Sequence, residues 1–168
     1  GSCTIHTSGC SLRYSRASSS MASRTLFSSC QWPNRITVAP ADEKVIPGIR
    51  RAARCEIVAI GSRDQARGRA VAERHGIPRV HGSYEALLAD PDVDAVYIPL
   101  PNYLHGEWTL AAARADKHVL CEKPLAMTAS DAERMIEGCR AAGVVLMEAF
   151  MYRLHPSWVT VRELVAAG

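Results

Sequence analysis

The sequence predicts an α/β domain built on a doubly wound parallel sheet. Three observations carry that expectation. The strand candidates, at 56–60, 94–98 and 117–121, are short and mostly continuous apolar runs, the pattern of strands buried on both faces rather than one. Between them lie stretches of helical length, bounded by capping residues and by glycine or proline. The two kinds of segment alternate, and strand–helix crossovers of this length bring the chain back parallel to itself.

Taken in chain order, residues 1–35 stand apart. Ten of the first thirty are serine, apolar periodicity is missing, and Arg13, Arg16, Arg24 and Arg35 are accompanied by no acid. Such a composition cannot bury enough apolar surface to offset the entropy of ordering it. A disordered or transit-like leader is therefore expected at 1–35, with the folded domain at 36–168. The opening Gly1 equally suits a fragment or a faulty gene model. Residues 36–39 are the candidate first strand, and 56–60 the second, closed by Gly61. Residues 64–75 read as a helix capped by Asp64 and stopped by Gly76, with Pro78 just beyond. An extended piece at 79–81 leads to Ser83, a cap for a short helix reaching Ala89. Residues 94–98 form a strand broken by Pro99 and Pro101, after which Asn102 is placed to cap a helix through Ala115. The strand at 117–121 stops before Pro124. Thr128 and Ser130 offer overlapping caps, Glu133 completing a capping box on Ser130, for a helix to Ala142 ended by Gly143. A last strand at 144–149 and a helix opened by Pro156 complete the chain.

Composition narrows the function classes. Apolar residues are 48% and charged residues 22% of the 168, close to an ordinary globular average. Past residue 41 there are sixteen basic and seventeen acidic groups, a net −1. With no basic stripe, nucleic acid is not expected as a partner. The longest apolar runs fall far short of the ~20 residues of a membrane span. Six cysteines show no disulfide framework, so Cys121 and Cys139 are expected to be small buried hydrophobes in a cytoplasmic protein. Organellar import applies if the leader is genuine. Cys3, His6 and Cys10 resemble half a zinc site, but the partner ligands are not suitably spaced and no metal is expected.

In a doubly wound sheet, ligands bind beyond the carboxyl ends of the strands. The residues there are Gly61-Ser62-Arg63-Asp64, Pro99-Leu100-Pro101-Asn102, Glu122-Lys123-Pro124 and 150–155, a polar, basic and proline-stiffened set. Ser62 and Arg63 follow the second strand, where an acid would meet the ribose hydroxyls of NAD and repel a 2′-phosphate. A hydroxyl and a guanidinium attract that phosphate, so NADP is expected over NAD. Asp64 reads as a helix cap rather than a ribose ligand. Trp108 and Trp158 read as core or interface anchors.

On these motifs the chain resembles the nucleotide-binding, Rossmann-type half of the glucose–fructose oxidoreductase / inositol dehydrogenase (Gfo/Idh/MocA) family. The likeness runs through 45–49, 58–64, 84–98, 99–105, His118-Val-Leu-Cys-Glu-Lys-Pro124 and 147–156. The last stretch leans toward NADP-dependent xylose and dihydrodiol dehydrogenases. The resemblance implies that Lys123 sits beside the nicotinamide as the catalytic group handling the substrate oxygen's proton, a task that suits a cation. It implies that Glu122 holds the Lys123 ammonium and makes Lys123–Pro124 a candidate cis bond. Leu100, Pro101 and Asn102 would line the cofactor ribose, and Arg153 would lie near the nicotinamide. His105 either faces that pocket or packs on its helix; His155 either joins the site or only opens the last helix. The implied partner is a small-molecule sugar or cyclic diol, with a homo-oligomer left open.

The sequence departs from the family's pattern in two places. The first strand should be followed by a glycine-rich phosphate loop, yet no glycine lies between Gly9 and Gly48, and Pro40-Ala-Asp-Glu-Lys44 stands there instead. The first strand and glycine loop are thus expected to be degraded or missing, which would leave a buried gap in the sheet. The family's C-terminal domain, an antiparallel sheet, has no room before Gly168 and is expected to be absent. Two readings stand: part of an NADP-dependent sugar or diol oxidoreductase, or a non-catalytic scaffold retaining the fold.

Overall fold

The computed structural model describes residues 4–7, 10–13 and 35–38 as strands, and residues 45–52 and 55–168 with their side chains. Two compact units are present, Gly1–Gln31 and Trp32–Gly168. In the first, β1 (Thr4–Thr7) pairs antiparallel with β2 (Cys10–Arg13), Thr7 opposite Cys10. This antiparallel pair lies within residues 1–35, the expected leader. The side chains of Cys3, His6 and Cys10, and with them the half zinc site, lie outside the described residues.

The second unit carries a six-stranded sheet. Its strands are β3 (Arg35–Val38), β4 (Glu56–Gly61), β5 (Arg79–His81), β6 (Ala95–Ile98), β7 (His118–Cys121) and β8 (Leu146–Glu148). They are all parallel, in the order β5-β4-β3-β6-β7-β8. The chain runs outward from β3 to one edge, returns to the middle at β6, and runs to the other edge, which is the doubly wound topology. The first strand is degraded but not missing. It has four residues, pairs with β4 and β6 on its two sides, and carries a register shift between Ile36 and Thr37. The glycine-free link at 39–44 lies outside the described residues.

Helices cover both faces. On one side, α1 (Val45–Arg51) and α2 (Gln65–His75) bury Ile46, fully enclosed, and Ala72 against Ile57, Ile60, Ala95 and Tyr97. On the other, α3 (Tyr84–Leu88), α4 (His105–Arg114) and α5 (Ala129–Ala142) close over Val58, Val96, Ile98, Val119 and Cys121 with Leu87, Ala112 and Met135. Each fully buried aliphatic side chain contributes roughly 1.5–3 kcal/mol. The helix at α1 has no counterpart in the sequence expectation, although it contains both Pro47 and Gly48. Pro47 falls in the first turn, where its missing N–H forfeits no intrahelical bond. Arg50, near the end of α1, donates to the carbonyls of His75 and Gly76 that close α2.

The local start and stop signals act much as read. The Asp64 carboxylate accepts from Arg67 N, and Ser83 Oγ from Ala86 N, each at 3.0 Å. Gly76 and Gly143 end α2 and α5 in the left-handed conformation that glycine adopts without strain. For α5 the cap is Thr128, which accepts from Asp131 N at 3.2 Å and donates to the Asp131 carboxylate at 2.7 Å, while Ser130 lies inside the helix. The last helix, α6 (Pro156–Ala167), begins at Pro156 and is capped by His155, whose Nδ1 accepts from Ser157 N. His155 thus opens the helix, the second of its two readings.

A buried carboxylate and a half-buried imidazole hold loops to the sheet. Asp90, 8% exposed, receives Arg79 at 3.2 Å, His81 at 3.0 Å and the Asp92 amide at 2.9 Å. Burial by itself would raise its carboxyl. The Asp92 hydrogen bond, His81 and Arg79 together outweigh it and hold the group below the ordinary 3.8. His118, at the start of β7, accepts the Val145 N–H on Nδ1 at 2.9 Å, so it must be neutral there. Burial holds its proton affinity below the ordinary 6.5, with Asp94 opposing. A histidine whose folded value is depressed adds stability that is complete above 6.5 and lost as pH falls through the folded value. Urea denaturation should therefore show stability falling as pH drops below about 6.5. His118→Asn, whose amide oxygen can take the Val145 N–H without titrating, should flatten that slope.

Candidate functional site

Because the six strands are parallel, their carboxyl ends share one edge of the sheet, and the loops after β4, β6, β7 and β8 meet there. After β4, Ser62 is 3% exposed, its N–H donating to His81 O at 3.0 Å, whereas Arg63 is exposed. Of that pair only Arg63 reaches the surface. Its guanidinium lies 6.0 Å from the centre of the Tyr84 ring, within reach of a cation–π attraction. Tyr84 stands edge-on to Trp108, ring centres 4.8 Å apart, and with Leu88 and Leu100 they line an apolar cleft between α3 and α4. Trp108 is thus a packing anchor, as read. Trp158 is half exposed on α6 beside Tyr152.

After β6, Pro101 and Asn102 are exposed and Leu100 is half-buried against the core. Asn102 does not cap the helix. A 3-10 turn, Asn102–Leu104, intervenes, closed by Leu104 N donating to Pro101 O, and α4 starts only at His105. His105 is fully buried, with Nε2 2.7 Å from Leu100 O and Nδ1 2.9 Å from Pro124 O. Its ring is turned to these two carbonyls and not to the pocket, which corrects its assignment as a cofactor ligand. A carbonyl only accepts, so each contact is a hydrogen bond only while the nitrogen facing it carries a proton. His105 links the loop after β6 to the turn after β7.

That turn is Glu122-Lys123-Pro124, and its Lys123–Pro124 bond is cis, as the sequence suggested. Glu122 Oε1 accepts the Tyr97 hydroxyl at 2.6 Å, and Oε2 accepts the Lys123 backbone N–H at 3.1 Å. The expected pairing of Glu122 with the Lys123 ammonium is therefore replaced by a grip on the lysine's backbone. Lys123 is exposed, and among the described residues its ammonium has no ion-pair partner. Two residues on, Leu125 N donates to Glu148 Oε1 at 2.8 Å. Tyr97 and Glu148 escaped the sequence reading; the available signal was a polar group at or near the end of an apolar strand. After β8, Arg153 is exposed on the 3-10 turn Met151–Leu154, where Phe150 and Tyr152 stack edge-on.

Cys121 ends β7 beside these groups but is no nucleophile. Burial, with the carboxylates of Glu122 and Glu148 adding to it, pushes its thiol up to about 12. Among the described residues no group of three or more His, Cys, Asp or Glu is placed to hold a metal ion, and no helix is long and apolar enough to cross a membrane.

A doubly wound sheet with a guanidinium beyond its second strand and a lysine-bearing turn beyond its fifth defines a Rossmann-type nucleotide-binding domain. Residues 39–150 match the family described as "Oxidoreductase family, NAD-binding Rossmann fold". The chain belongs to that Gfo/Idh/MocA oxidoreductase family. It is 55% identical over 125 residues to a D-xylose 1-dehydrogenase (NADP(+)) of Haloferax volcanii, covering 74% of this chain and 38% of that one. A trans-1,2-dihydrobenzene-1,2-diol dehydrogenase of Xenopus tropicalis is 39% identical over 111 residues, 66% of this chain and 34% of its own. The crystal structure of KijD10, a 3-ketoreductase from Actinomadura kijaniata in complex with TDP-benzene and NADP, superposes with a TM-score of 0.74 at 42% identity. It covers 81% of this chain and 44% of that one. The chain thus spans less than half the length of these relatives.

Replacing His105 by leucine removes the ring nitrogens from between Leu100 O and Pro124 O and leaves a buried carbonyl without its donor. Urea unfolding should register a loss of about 1–3 kcal/mol. A change within about 0.5 kcal/mol, the range of an ordinary surface substitution, would show that the link contributes nothing.

Proposed function

We propose that this chain forms the cofactor-binding part of an NADP-dependent oxidoreductase that moves hydride between the nicotinamide and a carbinol carbon of a sugar or cyclic diol. The observation that carries the proposal is Lys123, exposed on a turn whose neighbouring carboxylate is engaged with backbone and Tyr97 rather than with the ammonium. The xylose dehydrogenase named for NADP(+) and the ketoreductase bound to NADP support the choice of cofactor.

The residues present fit NADP at its phosphate end. Arg63 is exposed where a guanidinium can pair with a 2′-phosphate through two parallel hydrogen bonds. Pro101 and Asn102 border the ribose, Asn102 offering its amide, and Arg153 adds positive charge from the end of a neighbouring strand. Bound there, NADPH supplies the hydride. Lys123 hydrogen-bonds the substrate oxygen, offsets the negative charge that develops on it, and passes it a proton in reduction or receives one in oxidation. Glu122 sets the backbone from which that amine projects.

One observation favours a second reading, a scaffold without catalysis. The sequence Pro40-Ala-Asp-Glu-Lys44 after the first strand has no glycine and carries two acids, Asp42 and Glu43, where the family's pattern has a glycine-rich phosphate loop. Fluorescence titration with NADPH separates the two. Micromolar binding that weakens about 10–100-fold on Arg63→Asp supports the oxidoreductase, since a charge-assisted contact of this kind is worth about 1.5–3 kcal/mol. No saturation at millimolar NADPH supports the scaffold. Lys123→Ala, or the same exchange in a full-length relative, should lower turnover about 100-fold or more with NADPH affinity unchanged. Equal loss of both would remove Lys123 from the chemistry.

A further inference from the structure

The turn that carries Lys123 is bonded at both of its ends by side chains from other strands. At one end the Tyr97 hydroxyl donates to Glu122 at 2.6 Å, and at the other Glu148 accepts from the Leu125 amide at 2.8 Å. We propose that Tyr97 and Glu148 are positioning residues for Lys123, gripping its turn from opposite faces of the sheet. The proposal rests on the assignment of Lys123 above.

Register places the two grips. Tyr97 stands opposite Leu120 and Glu148 opposite Cys121. Successive strand residues point to opposite sides, so Leu120 and Cys121 face different layers, and Tyr97 and Glu148 do too. The core follows the same division: Tyr97 packs with the cluster under α1 and α2, and Cys121 with the cluster under α3, α4 and α5. The strands also hold the turn's backbone, Glu122 N donating to Ile98 O at 3.1 Å and Ala149 N to Cys121 O at 2.7 Å.

Packing alone does not account for either residue. Tyr97 is 4% exposed, and a phenylalanine ring would fill the same space; the hydroxyl is what reaches Glu122. A bond from a hydroxyl to a carboxylate is charge-assisted and among the stronger neutral–ionic contacts. It fixes one oxygen of Glu122 while the other holds the Lys123 N–H. With both oxygens engaged, the carboxylate does not fold onto the ammonium of the next residue. Removing the hydroxyl frees one oxygen beside that cation and gives the amine a competing partner. Removing the Glu148 charge loosens the far end of the turn.

The test exploits a sequence with three lysines, Lys44, Lys117 and Lys123. The full chain is labelled with 13Cε-lysine, and its signals are assigned by single Lys→Arg exchanges. Spectra of Tyr97→Phe and Glu148→Gln, taken without nucleotide, should show the Lys123 signal shifted or broadened and the Lys117 signal in place. Lys117 is the internal reference because its ammonium is held by the carbonyls of Asp90 and Val93. An unmoved Lys123 signal in both variants overturns the proposal, and so does a shift shared equally by Lys117, which would mark a general structural effect. Should Tyr97→Phe fail to fold, Glu122→Gln, of the same size with a single accepting oxygen, reads the same link. In a form that turns over, both variants should lower kcat about 10–100-fold, with NADPH affinity kept within about twofold. Failure of the unsubstituted chain to bind NADPH would sink the functional assignment, while the nucleotide-free spectra decide the positioning role separately.

Discussion

The strand Arg35–Val38 is bonded to β4 on one side and to β6 on the other, and the geometry of the candidate site follows from that double pairing. The chain leaves this strand in both directions across the sheet, so a crevice opens beyond the carboxyl ends of β3 and β6. If these four residues did not pair, β4 and β6 would each carry a row of unsatisfied N–H and C=O groups in a layer covered on both faces. The loops bearing Arg63 and Lys123 would then belong to two separate half-sheets.

Charge at that edge is arranged by what the acids do. Glu122 and Glu148 both stand among the loops, and both turn a carboxylate oxygen to a backbone N–H, of Lys123 and of Leu125. Their negative charge is thus engaged in holding the turn. The basic side chains of Arg63, Lys123 and Arg153 remain exposed along the edge.

His105 connects the two loops that flank the crevice, from Leu100 O to Pro124 O. A histidine is suited to this because its two nitrogens lie on different sides of a rigid ring and each can carry a proton. The loop Leu100 to Asn102 and the turn that carries Lys123 thereby share one support.

Much of the fold was legible because its signals are local. Asp64, Ser83 and Thr128 cap helices within three residues of themselves, and Gly76 and Gly143 end helices through their own backbone freedom. The continuous apolar strands announced a sheet covered on both faces, and the place of Glu122-Lys123-Pro124 and Arg63 after strands put them at its carboxyl edge, where they stand. What tertiary structure decided depends on contacts between distant positions: Tyr97 with Glu122, Leu125 with Glu148, and His105 with Leu100 and Pro124. A residue's type shows that it can donate or accept a hydrogen bond, but not which group the register of neighbouring strands will bring within 3 Å. For that reason the resemblance placed Glu122 on an ammonium and left His105 between a pocket and its helix, and packing gave each a backbone partner.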